Sequence, residues 1–335
     1  MNIFYAFNDA YAPLAGISIY SLLVNNQQSD CIRFFIVDSG ISEENRKKIT
    51  DIINEFNRDV YFLVMPNINE IIGNDTDIGR WNINVYSKLF VGSLLPKDVH
   101  KVLCIDCDTV IVRALDELWN TNLSESIVAG VNEAMSKYYR RYLGKNDKDS
   151  YLNSGMLLFN LDLIRSEKYE QNFLSFIKKY KGNLPYLDQD TVNAVVPENK
   201  IIVLHPKYNA VTPIFCCSYK ELIKTRMASV YYSETEFNEA KNDPFIIHFT
   251  TFFMSELRPW FDGSNHPKLN EFLKYKNSSP WKTNSFQKKS RKIKDELKNI
   301  IVKSMPRIML CELSSFLHGM LVPIMNGNKL NKIIR

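Results

Sequence analysis

Short apolar runs alternate with longer amphipathic stretches along the first 65 residues of the chain. The runs at 2–7, 32–37 and 60–65 are rich in β-branched and aromatic residues, which predicts three strands. Between them, residues 13–25 and 42–56 carry apolar side chains at helical spacing, which predicts two helices. This β-α-β-α-β order predicts an α/β fold on a mostly parallel, doubly wound sheet, with ligands at the carboxyl ends of the strands.

A further apolar run, residues 101–105, leads directly into Asp106-Cys107-Asp108. In a strand the side chains of residues i and i+2 point the same way, so both carboxylates lie on one side. Two carboxylates this close repel each other, and burying them is costly without a cation. Carboxylate oxygens suit Mg²⁺ or Mn²⁺, which often bridge to phosphate oxygens. The motif predicts a metal–diphosphate site, although Asp-x-Asp is also common in turns and as surface charge.

The same stretch resembles the first motif of haloacid-dehalogenase-type phosphatases, with Asp106 as nucleophile and Asp108 as acid/base. That interpretation expects the motif on the first strand, whereas about 100 residues precede it here. It also expects a downstream pair of acidic metal ligands, which is not found in the sequence. The phosphatase is therefore the second hypothesis.

The composition is that of an ordinary globular protein, with 45% hydrophobic and 24% charged residues among 335. Neither a basic apolar leader nor an uninterrupted apolar run of membrane-spanning length is visible. Six cysteines do not indicate a disulfide framework, and Cys104 and Cys107 point to opposite faces of a strand, so no zinc or redox site is expected. A cytoplasmic location is expected. Because glycine-rich phosphate loops are missing from the sequence, a bound diphosphate would depend on a metal and basic side chains.

Three later motifs place polar side chains beside predicted strands or helices. Asn153 and Ser154 precede a glycine and an apolar strand, where they could bind sugar hydroxyls or form an ordinary turn. Residues 188–190, Asp-Gln-Asp, open a predicted helix with Asp188 as its expected N-cap. His248 ends an apolar strand and is either a third metal ligand or a structural histidine.

Two basic features remain open between functional and structural interpretations. Lys88, on a helix predicted for residues 81–95, could meet a phosphate or carboxylate, or could be solvated. Residues 138–142, Tyr-Tyr-Arg-Arg-Tyr, are predicted to form a loop that either stacks on a sugar or packs at the surface.

In their order and spacing, several motifs together resemble the family 8 glycosyltransferases, which include bacterial lipopolysaccharide α-galactosyl- and α-glucosyltransferases and glycogenin. These motifs are Asp106-Cys107-Asp108, Asn153-Ser154-Gly155, Asp188-Gln189-Asp190, and His248 with Arg258-Pro259-Trp260. The resemblance covers residues 1–282, which we take as the catalytic domain. It implies a GT-A fold, a UDP-galactose or UDP-glucose donor, Mn²⁺ (with Mg²⁺ as an alternative), and transfer with retention of the anomeric configuration.

The resemblance also implies roles for individual residues. Asp106, Asp108 and His248 are the implied metal ligands. The implied donor contacts are Ala6, Asn8 and Tyr11 for uridine, Lys88 near the donor, and Asn153, Asp188 and Gln189 for the sugar. Two positions depart from the family: Asn8 replaces the usual Asp, and Arg258 replaces a Lys after a longer loop that lacks the usual glycine. Arg258 can still hold a diphosphate.

Retention requires either a carboxylate nucleophile and two displacements, or same-face attack by the acceptor. Gln189 is a poor nucleophile and lies at the sugar in this family, which favours same-face attack; Asp188 and Asp190 keep the covalent route open. The metal and Arg258 are expected to stabilise charge on the departing UDP. The expected acceptor is lipopolysaccharide, another surface glycan or a glycoprotein. Because residues 249–257 are atypical, a nucleotide-sugar-binding protein without turnover is a further hypothesis.

Residues 283–335 are predicted to form a separate basic helical tail. Residues 280–335 hold 12 Lys or Arg against three Asp or Glu, although the whole chain is only +5. Apolar and basic residues recur at helical spacing from 288 to 308, which is typical of an interfacial helix on an anionic membrane. A helix packed on the catalytic domain would show the same pattern. Similarity to bacterial relatives favours peripheral attachment to the inner face of the plasma membrane, and no nucleic-acid partner is expected.

Overall fold

The computed structural model describes residues 1–65, 83–254, 257–288, 300, 302 and 304–334. Its strands are β1 Asn2–Phe7, β2 Arg33–Asp38, β3 Asp59–Leu63, β4 Lys101–Ile105, β5 Thr109–Ile111, β6 Val128–Asn132, β7 Met135–Ser136, β8 Leu152–Asn160, β9 Ile201–Leu204, β10 Ala210–Val211, β11 Ala228–Val230 and β12 Ile246–His248.

The helices fall between these strands and after them. They are α1 Ala12–Asn25, α2 Glu43–Glu55, α3 Val91–Leu94, α4 Asp116–Trp119, α5 Lys137–Tyr142, α6 Leu161–Ser166, α7 Tyr169–Lys179, α8 Leu187–Val195, α9 Thr212–Cys216, α10 Tyr219–Arg226, α11 Glu234–Asn242, α12 Leu269–Ser278, α13 Arg307–Ser314 and α14 Val322–Ile334. Short 3₁₀ turns cover Asp9–Tyr11, Ile83–Phe90, Glu198–Lys200 and Pro206–Asn209, and a π-helical segment covers Ser315–Leu321.

Seven strands form the central sheet, in the order β3-β2-β1-β4-β8-β6-β9. All neighbours are parallel except β8, which runs antiparallel to both β4 and β6. The predicted mostly parallel, doubly wound sheet is therefore confirmed. Because β8 runs the opposite way, its beginning lies beside the end of β4, where Ile105 pairs with Met156.

Both faces of the sheet are buried, as expected for a largely parallel sheet. On β1, Ile3 and Tyr5 point into a core shared with α1 and α2. The intervening Phe4 points into the opposite core, which includes α6, α7 and α8. This alternation follows from the two-residue period of a strand, and it gives three layers with the sheet in the middle.

Most predicted elements lie within a few residues of their observed bounds. Helix α2 begins after Ser42, whose hydroxyl accepts from the Asn45 N–H as an N-cap. Residues 83–95 form a 3₁₀ helix and then α3 where a single helix was predicted, and Trp81 lies outside the described residues.

Two local predictions were wrong. Residues 138–142 belong to helix α5 and do not form a loop, because the buried Arg140 guanidinium donates to the carbonyls of Met135 and Asp149 and ties the segment down. Asp188 is not an N-cap, since α8 begins one residue earlier and Tyr186 takes the cap position without a side-chain bond.

A second, three-stranded sheet lies next to the end of β4. Strand β12 pairs antiparallel with β5, with His248 opposite Thr109, and parallel with β10, with His248 beside Val211. This pairing fixes the last residue of β12 next to the residues that follow β4.

The chain ends in a long helical segment that packs on the α/β body. Helix α13 contacts α10, and α14 contacts α5. By length and composition alone, Arg307–Ile333 is the one helix among the described residues that could cross a membrane, although charged and polar residues such as Glu312 and Lys329 interrupt its apolar sequence. Of the predicted helix at 288–308, residues 289–299, 301 and 303 lie outside the described part of the chain.

Candidate active site

The two aspartates after β4 converge with the histidine that ends β12. One ligand atom each from Asp106, Asp108 and His248 lie within 4.8 Å of one another. His248 Nε2 is 3.1 Å from Asp108 Oδ1. The fold thus brings together all three residues predicted to bind a metal, at the edge of the sheet where β1 and β4 end.

Lys88 is not a solvated helix lysine; it is buried within this cluster. Its Nζ donates to Asp106 Oδ1 at 2.7 Å and to the Ser154 carbonyl at 2.8 Å. It also lies 3.3 Å from Asp188 Oδ2. Burial lowers the pKa of Lys88, but the two carboxylates outweigh this effect, so its pKa is raised and the ammonium stays charged.

Asp108 has its own cationic partners. Arg258 Nη1 donates to Asp108 Oδ2 at 3.0 Å, and the guanidinium lies over the Trp260 ring at 5.1 Å. Burial raises the pKa of Asp108, yet His248 and Arg258 outweigh burial and hold that pKa below its ordinary value. Burial alone would lower the pKa of His248. The nearby Asp108 carboxylate outweighs burial, so the pKa of His248 is raised. The structure thus places Arg258 beside Asp108, one of the candidate metal ligands.

The predicted sugar contacts lie on β8 and on the first turn of α8. The Ser154 N–H donates to Gln189 Oε1 at 3.0 Å, which ties the helix to the strand. Asn153 Nδ2 donates to Glu133 Oε2 at 2.5 Å. Burial raises the pKa of Asp188 in spite of the nearby Lys88 ammonium. Lys88, which contacts Asp188, the Ser154 carbonyl and Asp106, therefore links these side chains to the metal-ligand candidates.

Asp190 has different surroundings from Asp188 and Gln189. Its fully buried carboxylate accepts from the hydroxyls of Tyr142 and Tyr151, at 3.0 and 2.6 Å, and from the Tyr186 N–H at 2.9 Å. Burial raises its pKa to about 6. A carboxylate enclosed by these donors organises the start of α8, so we assign Asp190 a structural role and no longer count it among the candidate catalytic residues.

The predicted uridine-binding turn follows β1 at the same edge of the sheet. Asn8 Oδ1 accepts from the Tyr11 N–H at 3.3 Å and caps the 3₁₀ turn Asp9–Tyr11. The Tyr11 ring is 49% exposed, whereas most large aromatic side chains here are buried. Ala6 is the next-to-last residue of β1. Its carbonyl oxygen accepts from the Cys107 thiol, with 3.8 Å between sulfur and oxygen.

Sequence reasoning missed two polar residues of this site. Asn209, fully buried, contacts His248 Nδ1 through its Oδ1 at 3.0 Å. Glu133, after β6, accepts from Asn153. Asn209 had no signal in the sequence, because only the pairing of β10 with β12 brings it to His248. Glu133 closely follows the apolar run at residues 127–131, which is typical of a strand, and that position is the available clue.

The donor set fits the divalent cation that the resemblance implies. Two carboxylates and an imidazole within 4.8 Å match the oxygen and nitrogen ligands of Mn²⁺, and the carboxylates also suit Mg²⁺. The backbone makes room for this arrangement: a Cβ on Gly155 would lie 2.1 Å from His248 Cε1. Only glycine at this position lets the imidazole reach the two aspartates.

Comparisons with known proteins agree with this geometry. The family model described as glycosyl transferase family 8 matches residues 2–263. General stress protein A of Bacillus subtilis (strain 168) is 25% identical, covering 84% of this chain and 95% of its own length. The lipopolysaccharide 1,2-glucosyltransferase of Escherichia coli is 24% identical, covering 90% of this chain and 85% of its own. A solved structure of the galactosyltransferase LgtC with donor and acceptor sugar analogs has a TM-score of 0.69 at 21% identity, covering 89% of this chain and all of that one.

The matched region contains both aspartates after β4, the start of β8, α8 and His248. The similarity to LgtC confirms the predicted GT-A fold. The phosphatase hypothesis and the hypothesis of binding without turnover are both set aside by the family match. The chain belongs to glycosyl transferase family 8 and is a glycosyltransferase.

Proposed function

We propose that the protein transfers galactose or glucose from a UDP-hexose to a hydroxyl of a glycan acceptor, with retention of configuration and dependence on Mn²⁺. The observation that carries this proposal is the convergence of Asp106, Asp108 and His248 at the carboxyl edge of β1 and β4, beside a buried lysine. Ligand sites in open α/β sheets lie at that edge.

Asp106, Asp108 and His248 would hold the cation. When bound, Mn²⁺ supplies electrostatic neutralisation of the donor diphosphate as UDP leaves. Arg258 adds a fixed positive charge at the same place, because its guanidinium is held by Asp108 and by the Trp260 face. Such preorganised charge acts most strongly where burial excludes water.

Tyr11 and Asn8 would receive the uridine. Tyr11 is half exposed at the edge of the sheet, so its ring can stack on a flat base. The side-chain oxygen of Asn8 already accepts a hydrogen bond from the Tyr11 N–H in the 3₁₀ turn. The amide nitrogen of Asn8 is the group that would donate to the base, and the Ala6 backbone lies beside it.

The sugar would lie between β8 and α8. Asn153 and Ser154 border this space from the strand, and Asp188 and Gln189 border it from the helix. With Asp190 enclosed by tyrosines, Asp188 is the carboxylate left for a covalent route, and it is engaged by Lys88. We therefore favour same-face attack by the acceptor, with Lys88 and Gln189 holding the donor sugar in place.

The name of one relative indicates an acceptor class. The Escherichia coli relative is a lipopolysaccharide 1,2-glucosyltransferase. On that basis we propose a lipopolysaccharide or other cell-surface glycan as the acceptor, with a glycoprotein as the alternative, and a hydroxyl as the attacked group.

The stereochemical test uses purified protein with UDP-galactose or UDP-glucose and Mn²⁺. Proton NMR follows the first sugar released by hydrolysis, before it mutarotates. An α-anomer is expected from the α-linked donor, and a β-anomer would contradict retention. Asp108→Asn should remove turnover, whereas Asp243→Asn, which changes an exposed carboxylate paired with Arg113, should leave it intact.

We also propose that residues 283–335 attach the catalytic domain, residues 1–282, to the inner face of an anionic membrane. Several apolar side chains of α13, the π-helical segment and α14 are exposed although the other side of these helices packs on the body: Ile308, Met309, Leu313, Phe316, Leu321, Ile324 and Met325. An exposed apolar face next to a chain segment rich in lysine is what an interfacial helix requires.

A further inference from the structure

The side chain of Asn209 connects the candidate metal site to the candidate sugar site. Asn209 ends the turn Pro206–Asn209 and is fully buried. Its Oδ1 is 3.0 Å from His248 Nδ1, and its Nδ2 donates to Asn153 Oδ1 at 2.8 Å. Nothing in the sequence or the family resemblance singled out this residue.

The direction of each hydrogen bond in this chain follows from one backbone group. The Gly155 N–H can only donate, and it lies 2.9 Å from Asn153 Oδ1, so that atom is an acceptor. Asn209 must then present its Nδ2 to the same oxygen. The opposite end of that amide is Oδ1, which has no hydrogen to give, and it faces His248 Nδ1. Nδ1 must therefore carry the proton.

The far end of the chain of bonds is consistent with this orientation. Asn153 uses its Oδ1 for two donors, so its Nδ2 points the other way, to Glu133 Oε2 at 2.5 Å. A carboxylate oxygen only accepts from an amide, which agrees with the amide orientation deduced from Gly155. Both ends therefore select the same arrangement of Asn153 and Asn209.

We propose that Asn209 is a positioning residue that keeps the proton on His248 Nδ1 and thereby points the Nε2 lone pair at the cation. This inference rests on the proposed metal-dependent function. A histidine ligand generally donates its second ring N–H to a partner, which fixes the tautomer and the ring orientation. Asn209 also couples His248 to Asn153, so a movement of the candidate metal site would displace the candidate sugar site as well.

Asn209→Leu tests the proposal, because leucine has the same branched shape and number of side-chain heavy atoms but no acceptor. Asn209→Asp keeps an acceptor for Nδ1–H and serves as the conservative variant. Asn26→Leu is the matched control, since Asn26 is equally buried and bonds the Leu115 N–H and the Leu22 carbonyl far from this site. Thermal melting compares the loss of stability in the two leucine variants.

The first readout is ¹H–¹⁵N NMR of His248 in protein labelled at histidine, metal-free and saturated with Mg²⁺, assigned with His248→Gln. We expect a slowly exchanging Nδ1–H signal in the wild type, in Asn209→Asp and in Asn26→Leu. In Asn209→Leu that proton should exchange rapidly or disappear. An Nδ1 without a proton in the wild type would overturn the proposal, so the test does not depend on the leucine variant folding.

The second readout is Mn²⁺ affinity without donor, measured by electron paramagnetic resonance. Asn209→Leu should weaken binding about 10- to 100-fold, the usual effect of removing a partner of a metal-bound histidine, while Asn26→Leu should not. Unchanged affinity together with an unchanged ring-proton signal would overturn the proposal. If His248→Gln bound Mn²⁺ as the wild type does, the proposed metal ligands would be wrong, and the ring-proton signal would still decide the role of Asn209.

Discussion

Single residues show how the charges of the candidate site are balanced. Asp106 and Asp188 share the Lys88 ammonium, and Asp108 faces His248 and Arg258. The sequence predicted that Asp106 and Asp108 lie on one side, as alternate residues of a strand do. In the structure both lie in the turn between β4 and β5, and that turn brings them together beside His248. The sequence left the position of Lys88 open, since the lysine reaches the aspartates through the packing of the 3₁₀ helix Ile83–Phe90 on β1 and α8.

Lys88→Met should destabilise the metal-free protein by about 3 kcal/mol, because two nearby carboxylates lose their buried cation. Urea unfolding in EDTA measures this loss. Lys88→Met combined with Asp188→Asn should recover part of it, since one unpaired charge is removed. Lys47→Met is the matched control: Lys47 forms an exposed pair with Asp51, whose loss should cost less than about 1 kcal/mol. Equal effects at both lysines would contradict the assigned role of Lys88.

Asp190 makes stability depend on pH in a defined direction. Burial raises its pKa from an ordinary value of 3.8 to about 6. The folded state therefore binds a proton more tightly than the unfolded state does, so stability falls as the pH rises from about 4 to about 6. A difference of this size corresponds to about 3 kcal/mol.

Asp190→Asn should lack this dependence. The free energy of unfolding of the variant, relative to the wild type, should rise by about 3 kcal/mol between about pH 4 and about pH 7. Urea titrations at several pH values measure the difference. Parallel pH curves for the two proteins would show that the Asp190 carboxylate titrates alike in both states, contrary to its enclosure by Tyr142 and Tyr151.

Among the elements, strand β8 decides where the site forms. The apolar run predicted the strand, but an apolar run does not encode strand direction, and β8 is buried along almost its whole length. Only the antiparallel pairing with β4 places residues Asn153 to Gly155 at the edge where β4 ends. The same limit explains Asn209 and His248, which meet because β10 pairs with β12 across more than 30 residues of chain.

Gly155→Ala tests the close approach of β12 to β8. The new methyl group would lie 2.4 Å from His248 Nδ1, so the imidazole has to move away from the aspartates. Mn²⁺ affinity, measured by titration calorimetry, should fall at least about tenfold. Gly130→Ala is the control, because the atoms nearest to its Cβ would belong to Leu152 and Leu157. It should lower stability by about 1–3 kcal/mol without changing Mn²⁺ affinity.

Similar Mn²⁺ affinity in both glycine variants would mean that His248 does not need this gap in order to bind the cation. Weaker binding in both variants would mean that any strain in the sheet disturbs the site.

At the scale of the whole molecule, the sequence predicted the fold better than it predicted the C-terminal segment. The α/β order of the first 65 residues was enough for the doubly wound sheet, because period-2 and period-3.6 patterns differ strongly there. In α13 and α14 apolar side chains lie on the packed side and also, among charged ones such as Glu312 and Lys329, on the exposed side. Periodicity therefore does not distinguish core contacts from a membrane-facing surface.

Replacing three exposed apolar side chains, Ile308, Phe316 and Met325, with serine should weaken binding to anionic vesicles at least about 100-fold, because each loses apolar area for the lipid. Sedimentation with phosphatidylglycerol vesicles measures this, and donor hydrolysis should be unchanged. The control is Val64→Ser with Val203→Ser, which removes exposed apolar groups on the catalytic body. Unchanged sedimentation of the triple variant would refute membrane attachment through this face.

The most direct test of the metal-dependent nucleotide site is isothermal titration of UDP into the protein. It is performed with Mn²⁺ and with EDTA, on the wild type and on Asp108→Asn. We expect binding by the wild type with Mn²⁺, and its loss both with EDTA and in the variant, because Asp108 is one of the three convergent ligands. Equal binding with Mn²⁺ and with EDTA, or no binding under any condition, would contradict the proposed function.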